Sequence, residues 1–137
     1  MKKIIFLAIL LGSTFTFSNC KKDSTAPVKP STANISVTLK KLASETSTVN
    51  CSGLSVELHS NALYTAKVKS AISTGTSTAG TALLTSVPNG KYYLMAWKDV
   101  DASNSYTTGD LFGFVEVPVV LDGAAKSYPI DIYVLKN

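Results

Sequence analysis

Residues 80–99 read GTALLTSVPNGKYYLMAWKD. Thr81 to Val87 and Lys91 to Lys98 are rich in β-branched and aromatic residues, and Pro88-Asn89-Gly90 between them is a turn signal. Two strands joined by a tight turn are expected. Outward from this stretch a period of two appears. Ile35, Val37 and Leu39 alternate with Ser36, Thr38 and Lys40; Leu54, Val56 and Leu58 alternate with Ser55, Glu57 and His59; Tyr64, Ala66 and Val68 alternate with Thr65, Lys67 and Lys69. This is the pattern of half-buried strands. Further strands are expected over Phe112 to Leu121 and Ser127 to Leu135, with turn signals at Gly75 and Asp122-Gly123. No segment long enough for a helix has an apolar repeat of 3.6. About seven short strands in roughly a hundred residues predict an all-β domain over residues 34–137, an antiparallel two-sheet sandwich. Pro118 has no amide to donate, so its strand should lie at an edge or carry a bulge.

The small residue, apolar pair, Pro-x-Gly turn and Tyr-rich strand of residues 80–99 resemble the strand–turn–strand core of carboxypeptidase-regulatory-like and other prealbumin-like sandwiches. The resemblance implies a prealbumin-like β-sandwich. Domains of that class are commonly accessory, non-enzymatic modules on exported proteins, so it implies little about a ligand.

Lys2 and Lys3 form a positive start, and Ile4 to Leu11 with Thr14-Phe15-Thr16-Phe17 give an apolar stretch. At about fourteen residues it falls short of the roughly twenty that cross a bilayer. A plain cleavable signal peptide would want small residues before the cut, which Asn19 suits poorly. Phe17-Ser18-Asn19-Cys20 resembles a lipobox, with Phe17 in place of the usual aliphatic residue and Cys20 placed to take a diacylglyceryl group before cleavage. Lys21-Lys22-Asp23 is similar to the charged residues that follow the lipidated cysteine in Bacteroides-type lipoproteins. The resemblance implies a signal peptide over residues 1–19, lipidation at Cys20 and an outer-membrane, surface-exposed place in the cell envelope. Each buried acyl CH₂ contributes ~0.8 kcal/mol, so two or three chains would hold the protein on the membrane essentially permanently. Residues 20–33 are polar, carry Pro27 and Pro30 and show no apolar period, which reads as a flexible, disordered tether.

What remains after Cys20 has room for one domain with a real core and not for two. The 13 basic residues are all lysines, scattered along the chain, and Lys2 and Lys3 supply half of the formal net charge of +4. A nucleic-acid binder would cluster its cations and use Arg to grip phosphates, so no nucleic-acid partner is expected. With Cys20 committed to lipid, Cys51 has no mate and reads as a stray thiol; a Cys20–Cys51 bridge is the alternative.

Asp99 to Asp110, DVDASNSYTTGD, is a loop of the length that carries function. A twelve-residue loop can wrap Ca²⁺ with oxygens from positions 1, 3, 5, 7, 9 and 12, which here are Asp99, Asp101, Ser103, the Ser105 carbonyl, Thr107 and Asp110. It is similar to the Asp-x-Asp-x-Asn-Gly calcium loops of sandwich-class surface proteins. It departs from them at Ser103 and at Asn104, which stands where Gly is usual, although Asn tolerates the left-handed conformation. Three carboxylates place the affinity near ~10⁻⁴ to 10⁻³ M. The alternative is a solvated connection whose aspartates favour turns.

The sole histidine, His59, lies on the polar phase of its strand and is expected to be exposed. Motifs for nucleophilic, zinc or nucleotide chemistry do not occur, so no catalysis is expected. Tyr93, Met95 and Trp97 share one strand face and Tyr106 sits in the nearby loop, which would make an aromatic platform for sugar rings. The competing expectation buries Trp97 in the core. The resulting expectation is a non-catalytic, membrane-anchored surface lipoprotein, an accessory or interaction module for an envelope protein, stiffened by Ca²⁺. The runner-up is a carbohydrate-binding lipoprotein with a glycan partner.

Overall fold

A computed structural model describes residues 28–136; the signal peptide read over residues 1–19, Cys20 and the tether as far as residue 27 lie outside the described residues. Among the described residues nine strands form: β1 (Thr32–Lys41), β2 (Ser55–His59), β3 (Lys67–Ile72), β4 (Thr74–Gly75), β5 (Ala79–Pro88), β6 (Gly90–Lys98), β7 (Leu111–Phe114), β8 (Val119–Leu121) and β9 (Lys126–Val134). Among the described residues there is no helix, and the all-β expectation holds.

Their arrangement differs from the expected antiparallel two-sheet sandwich of about seven strands. The hydrogen-bonded order is β3-β2-β6-β7-β9-β1-β5-β4, with β8 on β6, so all nine belong to one sheet curled nearly into a barrel. The sheet is mixed because β1 pairs β5 antiparallel on one side and β9 parallel on the other. The curl has a covalent cause. β3 and β4 stand at opposite ends of the order yet are separated in the chain only by Ser73, so one extended segment leaves β2 and joins β5.

Ser73 is the corner of that segment and only 2% exposed. Where a strand changes neighbours its ladder bonds lapse, and buried backbone groups must find other partners. The Ser73 hydroxyl donates to the Cys51 carbonyl at 2.8 Å and accepts from the Leu54 amide at 2.9 Å. Its own amide donates to the Leu54 carbonyl, and its carbonyl accepts from Gly53 N, both at 2.9 Å. Beside it Gly80 of β5 passes so close to the Cys51 carbonyl that a Cβ would overlap the oxygen, which only glycine avoids.

Inside the curl the expected alternation is realised. Ile35, Val37 and Leu39 of β1 are fully buried against Val56 and Leu58 of β2, Leu94 of β6 and Ile130 and Ile132 of β9. Cys51 is also buried and unbridged among the described residues, and burial pushes its thiol up, as suits an inert core residue. In β5 the inward phase slips between Leu84 and Val87 at a bulge, where Ser86 takes a φ of 52° and donates its amide to Asn34 Oδ1.

Local expectations fail at four places. Tyr64 to Ala66, expected in a strand, lies in a turn with Tyr64 at a φ of 52°, and β3 begins at Lys67. The strand expected over Phe112 to Leu121 breaks into β7 and β8, and Pro118 sits in the break. β1 starts at Thr32, inside the segment read as tether, because Ala33 is buried opposite Val87. The approach to β1 is also docked: Pro30 O accepts from Asn89 Nδ2 at 3.0 Å, and Lys29 Nζ lies 2.9 Å from Asp122 Oδ2.

The sheet is incomplete between β7 and β9, which pair only through Leu111–Val134 and Phe112–Tyr133. Below that point β8 pairs β6 alone, leaving a seam between residues 115–118 and the first half of β9. Leu135 N donates toward the β7 side and Ile132 O accepts from the β1 side. Alternation along the strand then turns Pro129, which has no N–H, toward the seam. The register also assigns the ends. β1 enters beside the β5–β6 turn, and Lys98 with the following loop lies at the opposite end.

After β1, Glu45 clamps the last strand: its Oε2 accepts from Val134 N at 3.1 Å and its Oε1 from Ser47 N at 2.8 Å. The Ser47 and Val134 amides, with Lys136 adding its charge, hold the carboxyl at about 2 against an ordinary 4.5. The group is depressed in the folded state, so its contribution is complete above pH 4.5 and is lost as pH falls toward about 2. Urea midpoints measured across that window should fall with acid, and Glu45→Gln should flatten the fall. Separately, Ser73→Ala leaves the Leu54 amide and the Cys51 carbonyl without that partner. It should cost about 1–3 kcal/mol in urea unfolding with an unchanged slope.

Candidate functional site

The outward phase of β2, β6, β7 and β9 is not a polar surface. Ser55 pairs with Trp97, Glu57 with Met95 and His59 with Tyr93; Trp97 in turn pairs with Phe112, Met95 with Phe114, and Phe112 with Tyr133. A second apolar layer therefore covers the outside of the barrel wall. The core face of β6 is instead Tyr92, Leu94 and Ala96. Trp97 belongs neither to the core nor to an open platform: it is half-buried on the outer face.

Two loops fold over this layer from opposite ends. From the far end of β2 comes the 60–66 turn, held by Asn61, whose Oδ1 accepts from Thr65 N at 3.1 Å and Ala66 N at 3.3 Å. It lays Tyr64 edge-on against His59 at 5.6 Å and against Tyr93 at 6.5 Å. From the end of β6 comes the 99–110 loop, which lays Tyr106 against Trp97 at 4.9 Å and Phe112 at 5.6 Å, with its hydroxyl 3.8 Å from Met95 Sδ. Between the two lies a groove of about 300 Å³ lined by Leu63, Tyr64, Met95, Tyr106, Phe112 and Leu135. Of the residues read as an aromatic platform, Trp97 and Tyr106 are brought together, while Tyr93 lies on the Tyr64 side.

Under the layer is a charged centre that the alternation pattern did not reveal. Glu57 is buried, with Oε1 accepting from Ser55 Oγ at 2.9 Å and from Lys67 Nζ and Trp97 Nε1 at 3.1 Å. Burial alone would raise its carboxyl, and the hydrogen bonds from Trp97, Ser55 and Lys67 outweigh that and hold it below the usual range. His59, expected to be exposed, is 3% exposed because Tyr64 covers it. Its Nε2 lies 3.1 Å from Glu57 Oε2, and an ionised carboxylate only accepts, so that nitrogen carries the proton. His59 Nδ1 has no hydrogen-bond partner among the described residues. Burial and then the Glu57 charge raise the Tyr106 hydroxyl.

The 99–110 loop gathers the residues its spacing singled out. Carboxylate oxygens of Asp99, Asp101 and Asp110 all lie within 4.8 Å of one another. Ser103 Oγ donates to the Ser105 carbonyl at 3.1 Å, and Thr107 Oγ1 donates to Asp101 Oδ2 at 2.9 Å. Asp99 takes the amides of Ser103 and Asn104, and Asp110 takes those of Val100 and Thr107. Hydrogen bonds from Ser103 and Thr107 hold the Asp101 carboxyl below its ordinary value. Asn104 adopts the left-handed conformation, φ 59°, at the position where calcium loops use Gly. Each carboxylate keeps lone pairs beyond those the loop amides use, and all three offer hard oxygen.

The chain matches no protein-family model, no curated protein and no solved structure. The outer layer is thus described by its own chemistry: aromatic rings and a thioether around a groove, with the only buried carboxylate–imidazole pair of the described residues beneath them. Glu57→Ala strands Trp97 Nε1 and His59 in a covered site and should cost about 3 kcal/mol in urea unfolding. Tyr106→Ala should increase iodide quenching of Trp97 emission with little loss of stability.

Proposed function

We propose that this chain is a non-catalytic interaction module, held at the outer membrane by a lipidated Cys20, whose recognition surface is the aromatic outer face of β2, β6, β7 and β9. The observation that supports this reading best is the exposure of apolar groups on that face beside the groove: Leu63 is 80%, Tyr106 51% and Phe114 42% exposed. Contiguous exposed apolar surface beyond scattered single residues marks a contact site. A sheet that only had to be soluble would put polar residues on its outer phase.

The 99–110 loop forms one wall of that surface, and Ca²⁺ orders it. Asp99, Asp101 and Asp110 supply the carboxylates, with oxygens of Ser103, Ser105 and Thr107 completing the set. The ion acts through position: it fixes the loop that carries Tyr106 onto Trp97 and Phe112. The groove lining favours an apolar contact over a sugar ring, because the Trp97 indole is bonded through Nε1 to Glu57 and its ring is met by Tyr106. A sugar needs hydrogen-bonding side chains around its ring, and tyrosine hydroxyls are the only ones among the groove residues.

Millimolar Ca²⁺ should raise the Tm of the full chain, and Asp99→Ala should remove the rise; an unmutated chain whose melting ignores Ca²⁺ takes the ion out of the proposal. The anchor has its own measurement. Mass analysis of the amino-terminal peptide from the membrane fraction should find Cys20 acylated, whereas an unmodified terminus in the culture medium would refute the anchoring.

A further inference from the structure

The apolar face is asymmetric in charge. Across the strand order β3-β2-β6-β7-β9 its β3 edge carries Lys67, and the opposite edge carries Glu116 and Asp131 beside Phe114 and Tyr133. Lys67 Nζ spends one of its three N–H donors on Glu57, and its side chain is half exposed. Neither Glu116 nor Asp131 has an ion-pair partner among the described residues. Between the edges a projecting Leu63 stands next to the groove. The face thus holds a knob and a hole, a cation and two anions, arranged side by side.

Rotation by 180° about an axis parallel to the strands and lying in the contact plane brings the left edge of one face against the right edge of the same face on another molecule. Rotation about an axis across the strands would instead set lysine against lysine. We propose that this face is the contact between two copies of this chain, related by a two-fold axis along the strands. Lys67 of one copy then faces Glu116 and Asp131 of its partner, and each Leu63 seats beside the other copy's Phe112 and Phe114. Such an isologous contact is self-complementary by construction. It deepens the interaction reading above, on which it rests, by naming the partner.

The same axis agrees with anchoring. β1 of both copies begins at the same end of the pair, so both amino-terminal segments leave on one side, as two molecules tethered to one membrane require. Confinement to that surface raises their effective concentration, so a contact of modest intrinsic affinity suffices.

The test uses the full chain in its membrane and then in detergent micelles. Zero-length carbodiimide coupling of amines to carboxylates, applied to a mixture of isotopically light and heavy copies, should join the Lys67 peptide of one copy to the Glu116 or Asp131 peptide of another. Sedimentation in micelles should show a dimer. Leu63→Asp, at an exposed tip, should weaken it by about tenfold or more while leaving the melting temperature unchanged, and Phe114→Asp should do the same. A monomer at every concentration with no mixed-isotope cross-link overturns the proposal. So does a dimer indifferent to both substitutions, or a Lys67 cross-link formed only to a different protein. Acylation of Cys20, read by mass in the same sample, separates the two ideas: an acylated monomer removes the dimer and keeps the anchor, whereas an unacylated dimer keeps the pairing and removes the anchor.

Discussion

One buried hydroxyl stands where the whole sheet turns back on itself. Without the Ser73 hydroxyl the Leu54 amide and the Cys51 carbonyl, in the segment packed against that corner, would lose their partner in the interior. The surroundings are fitted to that corner. Cys51 brings its carbonyl in, and Gly80 clears the space over that carbonyl. β2 is fixed by the same closure, so the height of Glu57 and His59 on the outer wall, and with it the placing of Trp97, follows from a contact on the other side of the strand.

The two covering loops are built by one device. Asn61 gathers the amides of residues four and five positions ahead, and Asp99 does the same with Ser103 and Asn104. A short polar side chain thereby replaces the ladder that each loop lacks. Each then carries one tyrosine onto the outer layer, Tyr64 over His59 and Tyr106 over Trp97. Tyr64 reaches its place with a left-handed backbone, a conformation that a bulky residue adopts only when its surroundings hold it there.

Much of this was legible in the residues, and the limits have physical causes. Period-two alternation located β1 and β2, and runs of β-branched and aromatic residues between turn signals located β5, β6 and β9, because both signals are written locally. Oxygen spacing likewise singled out the aspartates that converge at the loop. Alternation reports which side of a strand a residue occupies but not what later covers that side, which is why His59 was expected in water and Trp97 in the core. The parallel union of β1 and β9 joins the first and last strands, and no short-range signal encodes such a pairing. Nothing in the residues around Ser73 marks it as interior; only the closure of the sheet makes it so. Asn61-Ala62-Leu63-Tyr64-Thr65 did contain a turn signal in its asparagine, outweighed by an apparent alternation running through Tyr64.

The seam beside β9 has a bearing on how such a molecule survives among its own kind. An unpaired strand margin ordinarily invites a foreign strand to lie down along it, the first step toward fibrils. Pro129 faces that opening without a donor, and Pro118 lies in the segment across from it. Close neighbours can therefore meet through side chains, yet polymerising backbone to backbone along this margin is denied to them.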